Sequence, residues 1–288
     1  MRYVGHVIRP PSEADSLILQ ATIGCAHNRC TFCGTYRDEP FRLRDLDELF
    51  EDIAMARRCY GEVRRIFLAD GDAIVMPSER LLRILVRLKE TFPELQRVGI
   101  YARATDVLMK SGDELTELYH HGLKILYVGL ESGADRVLRF IEKGYTSEEA
   151  IEGCLRAQKS GMKLSTIILL GVGGKEWSSE HARESARMIN EVKPRYLSVL
   201  TLMVLKGTPL AARVEQGEFS LPGPEGMLEE MKLFIDGLTV DHCIFRSNHA
   251  SNYVALSGTL RKDKQRLMAL VEQAHLMGAY RPDFFRAL

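Results

Sequence analysis

The sequence predicts an α/β fold in which parallel strands form a partial (β/α)6 barrel followed by a short C-terminal extension. Short β-branched or aliphatic runs alternate along the chain with longer segments of helical period, a pattern typical of parallel sheets joined by crossover helices. The strand interiors are apolar on both faces, as in residues 166–170, Thr-Ile-Ile-Leu-Leu. A sheet covered by helices requires such strands. Six strand–helix units fit a partial barrel better than a closed one of eight.

The elements follow one another in regular order. Six strands are predicted, at Ser16–Ile23, Val63–Ala69, Arg97–Ala102, Lys124–Leu130, Lys163–Leu170 and Tyr196–Leu202. Five helices are predicted between them, at Asp45–Tyr60, Ser78–Thr91, Gly112–His121, Ser147–Ser160 and Ser178–Val192. Ser78 before Glu79 is a helix start signal, and Gly122 and Gly161 stand where helices should end.

The last quarter of the chain is predicted to be an extension packed on the barrel. Residues 1–217 form the barrel with an N-terminal lead-in, and residues 218–288 form the extension. The boundary lies at the turn-rich segment Glu218-Phe-Ser-Leu-Pro-Gly-Pro-Glu225, which cannot remain helical. Helices are predicted at Glu225–Leu238 and Leu260–Met277. Since no flexible linker separates the two parts, we do not expect a free second domain.

The composition narrows the class of protein. Of 288 residues, 45% are apolar and 27% are charged, as in ordinary globular proteins. The 39 basic and 39 acidic residues cancel, so nucleic acid is not indicated as a partner. No apolar run approaches the roughly 18 residues of a membrane span, and no signal peptide is recognisable. The sequence predicts a reduced, cytoplasmic protein without a membrane partner.

The most informative feature is a group of three cysteines within nine residues, Cys25, Cys30 and Cys33. Three thiolates this close can bind three irons of a cubic iron–sulfur cluster and leave the fourth iron open. The other three cysteines stand alone in the sequence and offer no nearby fourth ligand. An open iron can bind a substrate or cofactor, so the spacing favours a working cluster over a structural one.

A zinc knuckle is the main alternative for these cysteines. Cys30 and Cys33 form a C-x-x-C pair, and Cys25 or His27 could complete a zinc site. Zinc ribbons and fingers usually have a second ligand pair about a dozen or more residues downstream. The sequence between Cys33 and Cys59 contains none, so the cluster is favoured. A disulfide is less favoured still, because scattered cysteines in a large chain indicate a reducing compartment.

Polar and glycine residues follow the predicted strands at their carboxyl ends, where parallel folds place their chemistry. The three-cysteine loop follows the first strand. The later strands are followed by Asp70, Gly71 and Asp72, by Arg103, by Glu131 and Ser132 with Lys143 beyond them, and by Gly171 to Gly174. Each has an ordinary structural explanation as a helix cap, turn or solvated charge. Their position at one rim of the predicted barrel, beside an open iron, favours a binding site.

With these residues the chain resembles the radical S-adenosylmethionine (SAM) superfamily from about Leu17 to Leu210. The matching segments are Cys25 to Cys33 with Phe32, Asp70-Gly71-Asp72, Gly129-Leu-Glu131-Ser132-Gly133, Lys143-Gly144 and Gly171-Val-Gly-Gly174. The resemblance is closest to the branch of oxygen-independent coproporphyrinogen oxidases, Elp3 and MiaB-type enzymes. It implies an oxidoreductase with a [4Fe-4S] cluster on the three cysteines, SAM at the open iron, and a reductant such as flavodoxin or ferredoxin.

The resemblance also implies roles for individual residues. Asp70, Gly71 and Asp72 would hold the methionyl amine of SAM. Glu131 would contact polar groups of SAM, Lys143 would approach its carboxylate, and Phe32 would pack near its adenine. Arg103, Ser132 and Gly171 complete the implied SAM-binding set. Reduction of the cluster would cleave SAM to methionine and a 5′-deoxyadenosyl radical, which abstracts hydrogen from an unknown substrate.

The chain departs from the family pattern at two places. Four residues separate Cys25 from Cys30 where the family usually has three, so the loop must bulge. The family's Gly-Gly-Glu after the second strand is replaced by Asp70-Gly71-Asp72. No additional cysteine group is present for a second cluster, which disfavours methylthiotransferase chemistry.

A polar segment in the extension is a candidate substrate contact. Residues 247–253 combine donors, acceptors and one imidazole, with His249 and Tyr253 as the candidate catalytic residues. The alternative is a capped loop whose Asn and Ser side chains satisfy the backbone. At the level of the whole chain, the alternative to an enzyme is an iron–sulfur redox or SAM sensor without turnover.

Overall fold

The strands form one large sheet and one small one in a computed structural model that describes residues 1–287. The ten strands are β1 (Leu17–Gln20), β2 (Thr22–Ile23), β3 (Arg42–Leu43), β4 (Arg65–Ala69), β5 (Arg97–Ala102), β6 (Leu123–Glu131), β7 (Lys163–Leu170), β8 (Tyr196–Thr201), β9 (Ile244–Ser247) and β10 (Leu256–Thr259). Eight of them lie in the order β1-β4-β5-β6-β7-β8-β9-β10, while β2 and β3 pair separately. The pairs from β1 to β6 are parallel, as are β7–β8 and β8–β9, and β10 returns antiparallel to β9. The predicted α/β class with a mainly parallel sheet is confirmed.

Helices connect the strands. They are α1 (Leu46–Cys59), α2 (Ser78–Thr91), α3 (Ala104–Leu108), α4 (Gly112–His120), α5 (Asp135–Phe140), α6 (Ser147–Lys159), α7 (Gly174–Val192), α8 (Pro209–Glu215), α9 (Pro224–Gly237) and α10 (Lys264–Met277). Local sequence explains where they begin. The Asp45 side chain accepts hydrogen bonds from two backbone N–H groups at the start of α1, and Ser111 and Glu114 form a capping box at α4.

The chain divides into two compact units, and each is assembled from separate stretches of sequence. The first unit contains Met1–Asn28, Thr35–Val128 and Glu152–Leu164. The second contains Arg29–Gly34, Gly129–Ile151 and the chain from Ser165 onward. The boundary predicted between residues 217 and 218 stays a prediction. Residues 218–287 supply β9, β10, α9 and α10 to the second unit.

An aromatic cluster and a buried carboxylate lie in the core of the first unit. The ring of Phe67 on β4 packs edge-on against Tyr101 on β5 and Tyr127 on β6, with centroid distances of 5.0 and 5.6 Å. Glu13, which is fully buried, accepts a hydrogen bond from the Tyr127 hydroxyl and pairs with Arg97 at 2.6 Å. Buried carboxylates require such partners, so the segment before β1 is fixed to the sheet.

An apolar cluster in the second unit lies next to the cysteine pair in sequence. Its buried members are Ala134, Val137, Ile141, Leu169, Val172, Leu202, Leu210 and Phe219. Phe32, between Cys30 and Cys33, packs against this cluster. Backbone hydrogen bonds from Thr31 N–H to Ile141 O (2.9 Å) and from Leu210 N–H to Thr31 O (3.0 Å) hold the same segment. The loop with Cys30 and Cys33 is therefore fixed to α5 and α8.

One predicted strand was wrong in its extent, and two groups of elements were missed. The first strand is not continuous over Ser16–Ile23, because it ends at Gln20 and Thr22 pairs with another strand. The hairpin of β9 and β10 was missed, since neither strand carries a β-branched run and both are fixed by pairing. The helices α3, α5 and α8 were missed because each is only two turns or less in length. No helix among residues 1–287 is both long and apolar enough to cross a membrane.

Candidate active site

The first half of the cysteine loop lies in the first unit. Cys25 is half-buried, and its Cβ would be only 2.7 Å from a Cβ placed on Gly71. The Tyr36 ring would lie 2.9 Å from that same Cβ. Atoms this close cannot coexist without a shift, so only glycine at position 71 lets the acidic turn after β4 pack against the cysteine loop.

The extra residue between Cys25 and Cys30 is accommodated at Asn28. This residue has a left-handed backbone, with φ of 40°, a conformation that asparagine tolerates better than most side chains. Its side-chain amide donates to the Tyr36 carbonyl at 2.7 Å. The bulge expected from the four-residue spacing is thus a defined turn tied to the loop that follows.

Asp70 is the carboxylate of the acidic turn that suits a cationic ligand. Its Oδ2 accepts hydrogen bonds from Gln20 Nε2 at 2.8 Å and from Gly24 N–H at 3.2 Å. Its Oδ1 is buried and accepts no well-formed hydrogen bond from residues 1–287, although the Tyr36 side chain also interacts with this carboxyl group and lowers its pKa. Burial raises the pKa of Asp70 to about 6, so the group is mainly ionised at neutral pH. A buried carboxylate oxygen without a well-formed hydrogen bond fits an ammonium group.

Asp72 and Arg103 lie together but belong to a different cluster of side chains. Asp72 Oδ1 accepts a hydrogen bond from Arg103 N–H at 3.2 Å, and the Arg103 guanidinium donates to Asp106 at 3.2 Å. Burial, followed by the neighbouring Asp106 carboxylate, holds the pKa of Asp72 well above its usual range. Asp72 is therefore a buried acid that fixes the β5–α3 turn. Contact of either residue with SAM stays a prediction.

The second unit holds Cys30 and Cys33, and both are half-buried. Cys33 N–H donates to Cys30 O at 3.2 Å, which makes a tight turn between the two thiols. Burial disfavours the charged Lys143 ammonium, but attraction to Glu131, Tyr145 and Cys30 outweighs this effect and raises its pKa well above the ordinary value. The Lys143 ammonium is therefore close enough to Cys30 to attract its thiolate.

The turn after β6 is strained and closely held. Glu131 has a left-handed φ of 65°, an unusual conformation for a residue with a Cβ. Its Oε1 pairs with Lys143 Nζ at 2.9 Å, and a Cβ on Gly129 would lie 2.3 Å from that oxygen. Tyr145 donates its hydroxyl to Gly129 O at 2.8 Å. The Lys143 contact seen here is with Glu131, and its predicted approach to a SAM carboxylate stays a prediction.

Ser132 and Gly171, also predicted to bind SAM, lie in two turns of the second unit. Ser132 Oγ lies 2.8 Å from His181 Nδ1 and accepts from Ala134 N–H at 3.0 Å. Gly171 is left-handed, with φ of 79°, and its N–H donates to Glu230 Oε1 at 2.6 Å. Both turns therefore contact a buried His181–Glu230 pair that the sequence analysis missed. Glu230 had a recognisable signal, since it is an acidic residue on the apolar stripe of Met227, Met231 and Phe234.

The candidate catalytic residues of the extension are held in a polar network. The Tyr253 hydroxyl donates to Asp283 Oδ1 at 2.9 Å, and burial and this contact raise the pKa of Tyr253 to about 12. His249 Nδ1 lies 2.9 Å from Ser251 Oγ. Burial, and then the charge of Arg281, lowers the pKa of His249 below its ordinary value. Their contact with a substrate stays a prediction.

The loop that carries these residues is anchored on the end of β8. Asn252 is buried, and its amide donates to Val199 O at 2.8 Å while its carbonyl accepts from the Thr201 hydroxyl at 2.8 Å. Ser251 Oγ accepts from Thr201 N–H at 3.3 Å. The capped-loop alternative thus explains Ser251 and Asn252, while Asn248 remains exposed.

The residues present fit an iron–sulfur cluster with a bound amino acid. Three thiols are within nine residues of one another, and thiolates are the ligands that such clusters use. Gly71 packs against Cys25, and the neighbouring Asp70 has a buried oxygen without a well-formed hydrogen bond among residues 1–287. Among residues 1–287, no three His, Cys, Asp or Glu side chains converge on a ready metal site. Cys25, Cys30 and Cys33 as cluster ligands accordingly stay a prediction.

Comparison with known families identifies the class of protein. The sequence profile of the Radical SAM superfamily matches residues 19–207. This match covers more than half of the chain, from β1 to the loop before α8. The chain belongs to the radical SAM superfamily.

Individual relatives and solved structures are similar to this chain over part of their length. A probable threonylcarbamoyladenosine tRNA methylthiotransferase of Methanocaldococcus jannaschii is 30% identical over 141 residues, which cover 47% of this chain and 31% of the relative. Coproporphyrinogen III oxidase from Escherichia coli has a TM-score of 0.59 and 20% identity, covering 77% of this chain and 52% of its own. Elp3 of Methanocaldococcus infernus has a TM-score of 0.54 and 17% identity, covering 80% and 58%. The two solved structures share the fold of this chain.

The matches cover only part of the relatives. The chain spans between 31% and 47% of the length of the first curated relatives that it matches. The activities in the names of those relatives are therefore properties of larger proteins.

Proposed function

We propose that this chain is a radical SAM enzyme that holds a [4Fe-4S] cluster on Cys25, Cys30 and Cys33 and cleaves SAM reductively to act on a second substrate. Family membership supports this proposal. The observation that carries it is the packing against Cys25 of Gly71, which is next in sequence to Asp70, whose buried Oδ1 is without a well-formed hydrogen bond among residues 1–287. When bound, the cluster and SAM would supply an electron and a cleavable carbon–sulfur bond, giving methionine and a 5′-deoxyadenosyl radical.

In this proposal the residues of the chain bind and orient SAM. Asp70 accepts hydrogen bonds from the amino group through Oδ1, because Oδ2 is already used by Gln20 and Gly24. Lys143 fixes Glu131 through Oε1, which assigns Oε2 to a ligand donor. Phe32 provides an apolar surface on the second unit.

The test is an anaerobic cleavage assay. Protein reconstituted with iron and sulfide is mixed with dithionite and SAM, and 5′-deoxyadenosine is quantified. We expect product from the wild type and from Cys59→Ala, since Cys59 is exposed at the end of α1. Cys33→Ala should yield none.

Two results would contradict the proposal, and each has its own readout. A complete cluster, judged by iron content and visible spectrum, without any cleavage of SAM would favour the sensor without turnover. A colourless protein that copurifies with one equivalent of zinc would instead favour the zinc knuckle.

A further inference from the structure

A buried chain of polar groups connects the two candidate SAM-binding turns of the second unit to α9. Glu230 on α9 accepts from Gly171 N–H at 2.6 Å and from the Ser178 hydroxyl. His181 on α7 lies between Glu230 and the other turn, with Nε2 3.6 Å from Glu230 Oε1 and Nδ1 2.8 Å from Ser132 Oγ. Both side chains are almost completely buried, at 2% and 0% exposure.

His181 contacts both turns. Its Nδ1 lies 2.8 Å from Ser132 Oγ, which also accepts a hydrogen bond from Ala134 N–H. Its Nε2 lies 3.6 Å from Glu230 Oε1, and the Leu169 backbone also interacts with the ring. Burial lowers the pKa of His181 to about 4 and raises that of Glu230 to about 7. The pair is therefore a neutral imidazole beside a carboxyl group rather than an ion pair.

The two turns that are connected by these buried polar groups both contain a residue with a left-handed backbone. Glu131 and Gly171 are left-handed, and for Glu131, which has a Cβ, this backbone conformation is strained and must be held by its surroundings. Gly133 N–H donates to Ser185 Oγ at 2.9 Å, one helical turn beyond His181. A Cβ on Gly133 would lie 2.1 Å from Glu184 O. The turn after β6 thus rests directly on α7.

We propose that Glu230 and His181 are positioning residues that hold the Glu131–Gly133 turn and the Gly171 turn in one arrangement for binding SAM. The inference rests on the proposed function, because it assigns a purpose to the turns that the function requires. Under this proposal the C-terminal extension contributes to the SAM site, because Glu230 lies on α9, beyond residue 217. Neither residue is expected to touch SAM.

The first experiment uses the protein without cluster or SAM. Amide hydrogen exchange of residues 129–134 and 171–174 is compared in wild type, Glu230→Ala and Glu229→Ala, whose side chain is exposed on the same helix. We expect about tenfold faster exchange in both segments for Glu230→Ala, because this substitution removes the acceptor of the Gly171 N–H and Ser178 hydrogen bonds. Glu229→Ala should match the wild type. Equal exchange in the two variants would overturn the proposal.

The second experiment separates positioning from general stability. Glu230→Gln keeps a carbonyl oxygen for Gly171 N–H and can donate to Ser178, so it should restore wild-type exchange in both segments. In reconstituted protein, Glu230→Ala should bind SAM about tenfold more weakly, and Glu230→Gln should bind as the wild type does. If Glu230→Ala does not fold, Ser178→Ala, which removes one hydrogen bond of Glu230, should loosen the Gly171 segment selectively. Uniform exchange changes across the chain in that variant would reject the inference.

The two proposals fail in different ways. If the wild type neither binds nor cleaves SAM while the exchange differences remain, the proposed function is wrong and the coupling of the turns stands. If SAM is cleaved and Glu230→Ala binds it as tightly as Glu229→Ala, the positioning role is wrong and the proposed function stands.

Discussion

At the residue scale, the acidic turn after β4 leaves no room for a side chain at position 71. Gly71 packs against both Cys25 and Tyr36, so a methyl group at this position must displace one of them. The neighbouring Asp70 has fixed hydrogen bonds to Gln20 and Gly24 and cannot move with the turn. The displacement therefore falls on Cys25, which is the nearer of the two, or on the Tyr36 ring.

We predict that Gly71→Ala lowers the amount of iron bound after reconstitution by about tenfold or more, because a shift of the Cys25 backbone disturbs a ligand set that tolerates little error. Gly112→Ala is the matched control, since a Cβ there meets nothing within 4 Å. Iron and sulfide analysis measures the effect. Equal loading of the two variants would contradict this account of Gly71.

A second residue-scale prediction concerns the buried carboxyl group of Glu230. Its folded-state pKa of about 7 lies above the ordinary value of 4.5, so the folded protein binds this proton more tightly than the unfolded chain does. As the pH rises through this window, the wild type loses stability by up to about 3 kcal/mol. Glu230→Gln does not titrate and keeps its stability.

Urea unfolding at pH 5 and pH 8 measures this difference. The free energy of unfolding of Glu230→Gln should increase relative to that of the wild type between pH 5 and pH 8. His181, with a pKa of about 4, stays mainly neutral in the folded protein over this range. A constant difference between the variants at the two pH values would show that the Glu230 carboxyl group is solvated.

At the scale of elements, the polar loop of residues 247–253 contains two kinds of residue. Some anchor the loop on β8, and others are available to contact a substrate. Ser251 and Asn252 satisfy the end of β8, whereas Asn248 is exposed and His249 is half-buried. Substitutions at these positions should therefore have different effects.

Asn252→Ala should destabilise the fold by about 1–3 kcal/mol, since it leaves the buried Val199 carbonyl and Thr201 hydroxyl without their partner. Asn248→Ala should change stability by less than about 0.5 kcal/mol. Thermal and urea unfolding of the two variants test this. If His249 contacts substrate, Asn248→Ala/His249→Ala should lose turnover while unfolding as the wild type does, and retained turnover would contradict the substrate role of this loop.

Most parallel strands and the longer helices could be predicted because their apolar periodicity is local. The β9–β10 hairpin could not, since Arg246 and Gly258 have little strand preference and their conformation comes from pairing with neighbours. In the candidate site, sequence reasoning found the residues that follow strands, such as Asp70 and Glu131. It could not show that Lys143 pairs with Glu131 or that Asp72 faces Asp106, because these contacts depend on side-chain direction.

At the scale of the whole molecule, residues 218–287 are part of the second unit's framework. They supply β9, which pairs with β8, and α9, which packs extensively on α7. Removing them would expose the β8 edge and the buried face of α7.

We predict that a chain ending at residue 217 does not fold to a soluble monomer, because an exposed strand edge and an uncovered apolar helix face favour aggregation. Soluble yield and circular dichroism after expression measure this. The matched control ends at residue 278, after α10, and should retain helical content. A soluble, cooperatively unfolding chain of 217 residues would support the barrel predicted from the sequence as an independent domain.

The interleaving of the two units has a consequence for synthesis on the ribosome. The first unit requires Glu152–Leu164, and the second already includes Arg29–Gly34. No N-terminal domain can therefore be completed while the first half of the chain emerges, although domains that are continuous in sequence commonly fold in that way. Cys30 and Cys33 are synthesised long before the residues from Ser165 onward that complete their unit. During this interval the thiols depend on the reducing capacity of their surroundings.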